Sequence, residues 1–128
     1  MENVITAKDR KIIRDLAKEV KDRAELPVME SKRAKWYEHN DLKSTDPLIL
    51  VFPENAWHEL VKPENLLCEG EYARRIEALL RGRLFRADVI QDDIPVEKTW
   101  EVSKIITDTG WDALNPKHKS ALFVNDYI

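Results

Sequence analysis

The run Leu48-Ile49-Leu50-Val51-Phe52, set between Pro47 and Pro53, decides how the rest of the chain is read. A short continuous apolar run of this kind reads as a strand buried on both faces, as in parallel sheets. Ahead of it, Leu42 to Pro47 reads as a loop ending at a proline, and the stretch from about Met29 to Asn40 is helical. Arg33, Trp36, Tyr37 and Asn40 recur there at helical spacing. Further upstream Thr6 is an N-cap candidate, with Asp9 three residues on as the capping-box acid. Ile13, Leu16, Ala17, Val20 and Ala24 then share one helical face, and Pro27 breaks that helix or starts another.

Downstream of the run, residues 53–61 form a short helix with Trp57 and Leu60 pointing inward, and Lys62 to Asn65 is a turn. From Glu69 to Gln91 the pattern is helical, with Tyr72, Ala73, Ile76, Leu79, Leu80, Leu84, Ala87 and Ile90 tracing a broad apolar stripe. Gly82 inside it marks close packing or a bend, because glycine costs about 1 kcal/mol against alanine in a helix. Asp92-Asp93-Ile94-Pro95 ends the helix. Residues 96–106 alternate, with Val96, Trp100, Val102 and Ile106 on one parity, as a half-exposed edge strand would. The expected order is helix, helix, strand, short helix, long helix, strand. The fold class is α+β and helix-rich, in a single domain spanning residues 1–128.

Composition narrows the function classes. The chain has 128 residues, 43% apolar and 35% charged, which fits one soluble globular domain with a core of its own. Its 21 Lys and Arg against 24 Asp and Glu leave a net charge of −3, and give no electrostatic case for nucleic acid or an anionic membrane. Cys68 is the single cysteine, so no internal disulfide or thiolate cluster is expected. No apolar run approaches the roughly 20 residues of a membrane span. The opening residues enter charged helical sequence with no signal-peptide core. A cytoplasmic setting is the expectation.

Few residues stand out chemically. His39, His58 and His118 show no i, i+4 pairing of the zinc-site kind. His58, beside Glu59 after the apolar run, is the best placed, since ligands collect at strand carboxyl ends in parallel α/β folds. Asp92 and Asp93 lie at the helix end that disfavours anions, yet a solvated turn is the preferred reading. Glu69 and Glu71 suit a helix N-terminus. Three glycines, Gly70, Gly82 and Gly110, are too scattered for a phosphate loop. Basic residues recur on the first helix and on the helix after residue 69, but acids interleave the first group and neither helix carries an aromatic stacking motif, so solvated faces are the reading. Cys68, just before a helix, reads as a buried inert thiol.

One resemblance goes further. Trp36 with His39-Asn40, Val51-Phe52-Pro53-Glu54 with Ala56-Trp57, Leu67-Cys68-Glu69, Asp92-Asp93 and Thr109-Gly110-Trp111 together resemble the N-terminal region of uroporphyrinogen-decarboxylase-like proteins. The nearest branch is the bacterial one grouped with corrinoid-dependent methyltransferases. The resemblance implies the N-terminal helices and first strands of a (β/α)8 barrel, with residues 1–45 as helical lead-in and 48–52 as an early barrel strand. This chain covers about the first third of such a protein and is too short to close a barrel. The decarboxylases' arginine-rich loop is replaced here by Phe52 to Leu60, with no arginine and no glycine. The methyltransferases' late zinc ligands have no counterpart. No catalytic residue and no metal site carries over, and no cofactor is expected.

The functional expectation is therefore a truncated or stand-alone N-terminal part of such a protein, non-catalytic alone. It would act through self-association or a companion barrel chain covering the edge of Leu48–Phe52 and the surplus tryptophans. Any enzymatic activity would be decarboxylase- or methyltransferase-like. The alternative is a small ligand binder or enzyme using His58, Glu59, Glu54 and Asp93 at the strand ends.

Overall fold

The computed structural model describes residues 5–43 and 46–102. The chain divides into two units, Met1–Lys98 and Thr99–Ile128. The first carries the elements that follow, and only residues 99–102 of the second are described. Four α-helices make up the described part: α1 (Ala7–Ala24), α2 (Pro27–Asn40), α3 (Trp57–Leu60) and α4 (Glu71–Phe85). Short 3-10 turns at Glu54–Ala56 and Pro63–Asn65 and a π-helical turn at Arg86–Ile90 complete it. No strand is present among the described residues, so the α+β expectation and the barrel-fragment architecture are both overturned.

α1 starts where a hydroxyl can hold its first free N–H. Thr6 is extended, and its Oγ1 accepts the Asp9 N–H at 3.0 Å. Leu16, Val20 and Ala24 follow on the buried face, whereas Ala17 is exposed. α1 packs against α4, and Leu16, Val20, Met29, Leu80 and Val96 form the centre of the core. Ile12, Ile13, Ile76, Leu84 and Ala87 pack around it. Pro27 opens α2, where its missing N–H and fixed φ cost nothing.

The long helix expected after residue 69 is present as α4 but buries less than its apolar stripe, since Tyr72 and Leu79 remain exposed. Gly82 faces the Trp57 ring, but the contact does not demand a glycine. A Cβ there would lie 3.6 Å from the Trp57 ring, an ordinary van der Waals contact. Trp57 also meets Phe85 edge-on at 6.4 Å, with the Arg86 guanidinium 5.8 Å from its ring centroid. α4 widens into the π turn, and Gln91 reverses the chain in the left-handed region, at φ 53°.

Two expected strands are corrected. Residues 48–52 belong to no helix and pair with no strand, and Ile49 and Phe52 are 65% and 66% exposed rather than buried. Their backbone is held by side chains, as detailed below. Residues 96–102 form no ladder either. The Val96 N–H is taken by Met29 Sδ at 3.3 Å, and the Glu97 carbonyl accepts from Arg83 at 3.3 Å. Helix side chains thus occupy groups that a strand partner would need. Residues 103–106, Thr109-Gly110-Trp111 and His118 lie outside the described residues.

Candidate functional site

Polar groups in this fold are largely committed to holding irregular backbone. The loop before α4 shows it first. Glu77 of α4 is fully buried and accepts the N–H groups of Leu67 at 2.9 Å and Cys68 at 2.7 Å. Asp9 of α1, equally buried, accepts those of Glu69 at 2.9 Å and Gly70 at 3.1 Å. Four consecutive N–H groups are thus shared between two helices. Burial alone would raise the Glu77 carboxyl, but the two N–H groups and Arg81 outweigh it and hold it below its ordinary value. The Glu69 and Gly70 N–H groups do the same for Asp9. Asp9 therefore does not close a capping box but reaches across to another element. Cys68, enclosed between these carboxylates, has its thiol pushed up to about 12, first by burial and then by Glu77. It is an inert thiol at neutral pH.

The same device recurs at residues 48–52. Asp93 Oδ2 accepts the Ile49 N–H at 2.8 Å, and the Asp93 N–H returns a bond to the Ile49 carbonyl at 2.9 Å. Asp92 Oδ2 accepts the Val51 N–H at 2.9 Å, and Arg86 Nη2 donates to the Val51 carbonyl at 3.1 Å. Arg86 also makes a short ion pair with Asp92, whose side chain is fully buried. The Ile49 N–H pulls the Asp93 carboxyl below its ordinary range, and Lys35 at 3.5 Å adds to that shift. The pair Asp92-Asp93 is thus no solvated turn. It works as a pair of pegs, aimed by the π turn and Gln91.

This arrangement fixes the polarity of the segment. In extended backbone the N–H and C=O of one residue point to one side, and those of the next point to the other. Ile49 and Val51 direct theirs into the helical body. The N–H and C=O groups of Leu48, Leu50 and Phe52 make no hydrogen bond among the described residues, and bonded residues alternating with unbonded ones is the pattern an extended segment held from one side gives. The result is a one-sided edge.

A groove adjoins that edge. It has a volume of about 430 Å3 and is lined by Leu50, Trp36, Tyr37, Ile94 and Pro95, with Arg33, Asn40 and Glu97 contributing polar groups. Its walls are tied. Trp36 Nε1 donates to the Asp93 carbonyl at 2.9 Å, and the Trp36 ring packs edge-on against His39 at 5.8 Å. Arg33 forks onto Glu97 at 3.0 and 3.2 Å and reaches the Ala24 carbonyl at 3.1 Å. The four α2 residues noted at helical spacing, Arg33, Trp36, Tyr37 and Asn40, all line this groove.

Of the residues singled out from sequence, Asp93 lies within this site. His58 and Glu59 are exposed and meet only each other, at 3.9 Å. Glu54 is exposed on its 3-10 turn, in the left-handed region at φ 48°. No hydrogen bond or ion pair among the described residues links Asp93 to any of these three. The α4 arginines are engaged within the chain. Arg74 donates to the carbonyls of Pro63, Leu66 and Cys68, while Arg75 and Arg81 pair with Glu71 and Glu77.

Asp9, Glu77, Asp92 and Arg86 carry most of this geometry, and sequence reasoning did not assign them these roles. Their signal was present: Asp9 and Glu77 are carboxylates on otherwise apolar helical faces, and Arg81 follows Glu77 at i+4. No helix is long and apolar enough to cross a membrane among the described residues. No protein-family model, characterised protein or solved structure matches the sequence, so the resemblance to uroporphyrinogen-decarboxylase-like proteins gains no support.

Proposed function

We propose that the protein is a non-catalytic interaction module that takes up an extended polypeptide along the outward edge of Leu48–Phe52. The observation that carries this reading is the alternation at that segment. The odd residues Ile49 and Val51 are anchored by Asp93, Asp92 and Arg86, while the N–H and C=O groups of Leu48, Leu50 and Phe52 make no bond among the described residues. Adding a strand to such an edge takes affinity from main-chain hydrogen bonds and specificity from side-chain pockets. Here the groove beside Leu50 supplies the pocket. A partner residue opposite Leu50 shares its face of the ribbon and so lies toward Trp36, Tyr37 and Ile94. Binding rather than catalysis accords with how the carboxylates are used, because Asp9, Glu77, Asp92 and Asp93 are all committed to backbone N–H groups.

Selection from a displayed library of random peptides tests the reading. Recovered sequences are expected to be apolar at alternate positions and to lose binding to Leu50→Asp, which puts a charge at the groove mouth while leaving the pegs in place. Peptides that bind the wild type and Leu50→Asp equally would place the binding surface elsewhere.

A further inference from the structure

The charges at the two ends of the edge specify what kind of segment it accepts. Asp46 and Glu54 flank the run on either side, both are exposed, and neither has an ion-pair partner among the described residues. Three basic residues of the surrounding elements are paired elsewhere: Lys35 with Asp93, Lys43 with Asp41 and Arg86 with Asp92. Between the flanks, residues 48–52 carry no charge at all.

We infer, building on the strand-accepting reading above, that the partner is a heterologous extended segment with a core of about five apolar-rich residues between Lys or Arg ends. A second copy of this chain fits less well. In the flush antiparallel register centred on Leu50, Leu48 faces Phe52 of the second copy, and the acidic flank at Asp46 is then brought to the end where Glu54 of that copy begins its 3-10 turn, at both ends. The parallel register sets Asp46 beside Asp46. Bringing like charges together in this way is unfavourable. Size points the same way. A five-residue edge with one groove offers far fewer than the roughly 20–30 residues a side of a stable domain–domain interface, yet it suits a single strand whose large apolar side chain enters the groove.

The experiment titrates the full-length protein with two synthetic peptides. Both share one core of alternating Val, Leu and Thr; one is flanked by lysine pairs and the other by glutamate pairs. Backbone amide NMR and hydrogen exchange report on Leu50 and Phe52, and sedimentation reports on self-association. The lysine-flanked peptide should bind about tenfold more tightly at low salt, and the gap should narrow at about 0.5 M salt. It should also slow exchange at Leu50 and Phe52. The double variant Asp46→Lys with Glu54→Lys lies outside the pegs and the groove, and should invert the preference. Equal binding of both peptides overturns the charge assignment and leaves the edge intact as a general strand acceptor. A dimer that protects the Leu50 amide without peptide makes a second copy the occupant and overturns the inference. Failure of both peptides to bind, with no dimer, removes the strand-accepting reading and this inference with it.

Discussion

Two stretches of irregular backbone are held by the same chemistry and come out differently. Residues 67–70 give all four N–H groups to Glu77 and Asp9, and Cys68 between them is buried. Residues 49 and 51 give theirs to Asp93 and Asp92, yet the apolar side chains around them stay largely in water. The first carboxylates lie between two packed helices, so the loop they hold is enclosed. The second pair lies beyond the end of α4, and holds its segment from one side only. Carboxylate pegs therefore fix conformation in both places, while coverage decides whether the result is scaffold or surface.

The contrast can be broken most severely at Glu77. Glu77→Ala leaves the Leu67 and Cys68 N–H groups and the Arg81 guanidinium without their acceptor, and should cost about 3–5 kcal/mol in urea denaturation. A loss below about 1 kcal/mol would mean the loop is held by packing alone. Asp92→Ala should cost less, about 2 kcal/mol, because its segment is already half solvated. Its sharper signature is local, with Val51 amide exchange rising toward the rate of Leu50. Continued protection of Val51 would rule out the peg.

Acid should weaken both regions. Asp9, Glu77 and Asp93 all have folded-state pKa values below their ordinary 3.8, 4.5 and 3.8. The unfolded chain then binds more protons in this range, so the stability these groups contribute is complete above about pH 4.5 and is lost as pH falls through their lowered values. Denaturation midpoints measured from pH 6 downward should stay level until that point and then drop, and an earlier fall would implicate other groups. The smallest effect belongs to Gly82→Ala. With 3.6 Å to the Trp57 ring there is room for the methyl, and the gain in helix propensity should raise stability by up to about 1 kcal/mol in thermal melts. A loss instead would show that the ring cannot adjust.

The sequence discloses the helices through periodicity: Leu16, Val20 and Ala24 in α1, and Ala73, Ile76, Leu80 and Leu84 in α4, were spaced as they pack. Thr6 was legible because a cap is a local contact. The apolar run at 48–52 was read as a strand buried on both faces and is neither, since composition carries no information about what lies alongside. A strand and a peg-held segment look alike until the partner is seen. Asp92-Asp93 was noticed for lying at a helix end that disfavours anions, but its use depended on the π turn and on Gln91, which no spacing rule reveals. The groove was half legible, through Arg33, Trp36, Tyr37 and Asn40; its other wall, Ile94 to Glu97, is contributed by residues distant in sequence.

The widened turn at Arg86–Ile90 ties the whole arrangement to a matter of counting. A π turn amounts to one residue more than an α-helix needs. Were the same residues to wind as regular α-helix, the extra residue would no longer be absorbed, and whatever follows would swing by about 100° around the axis. The two aspartates would then face away from Ile49 and Val51, and the segment they hold would come loose while the α1–α4 core stayed folded.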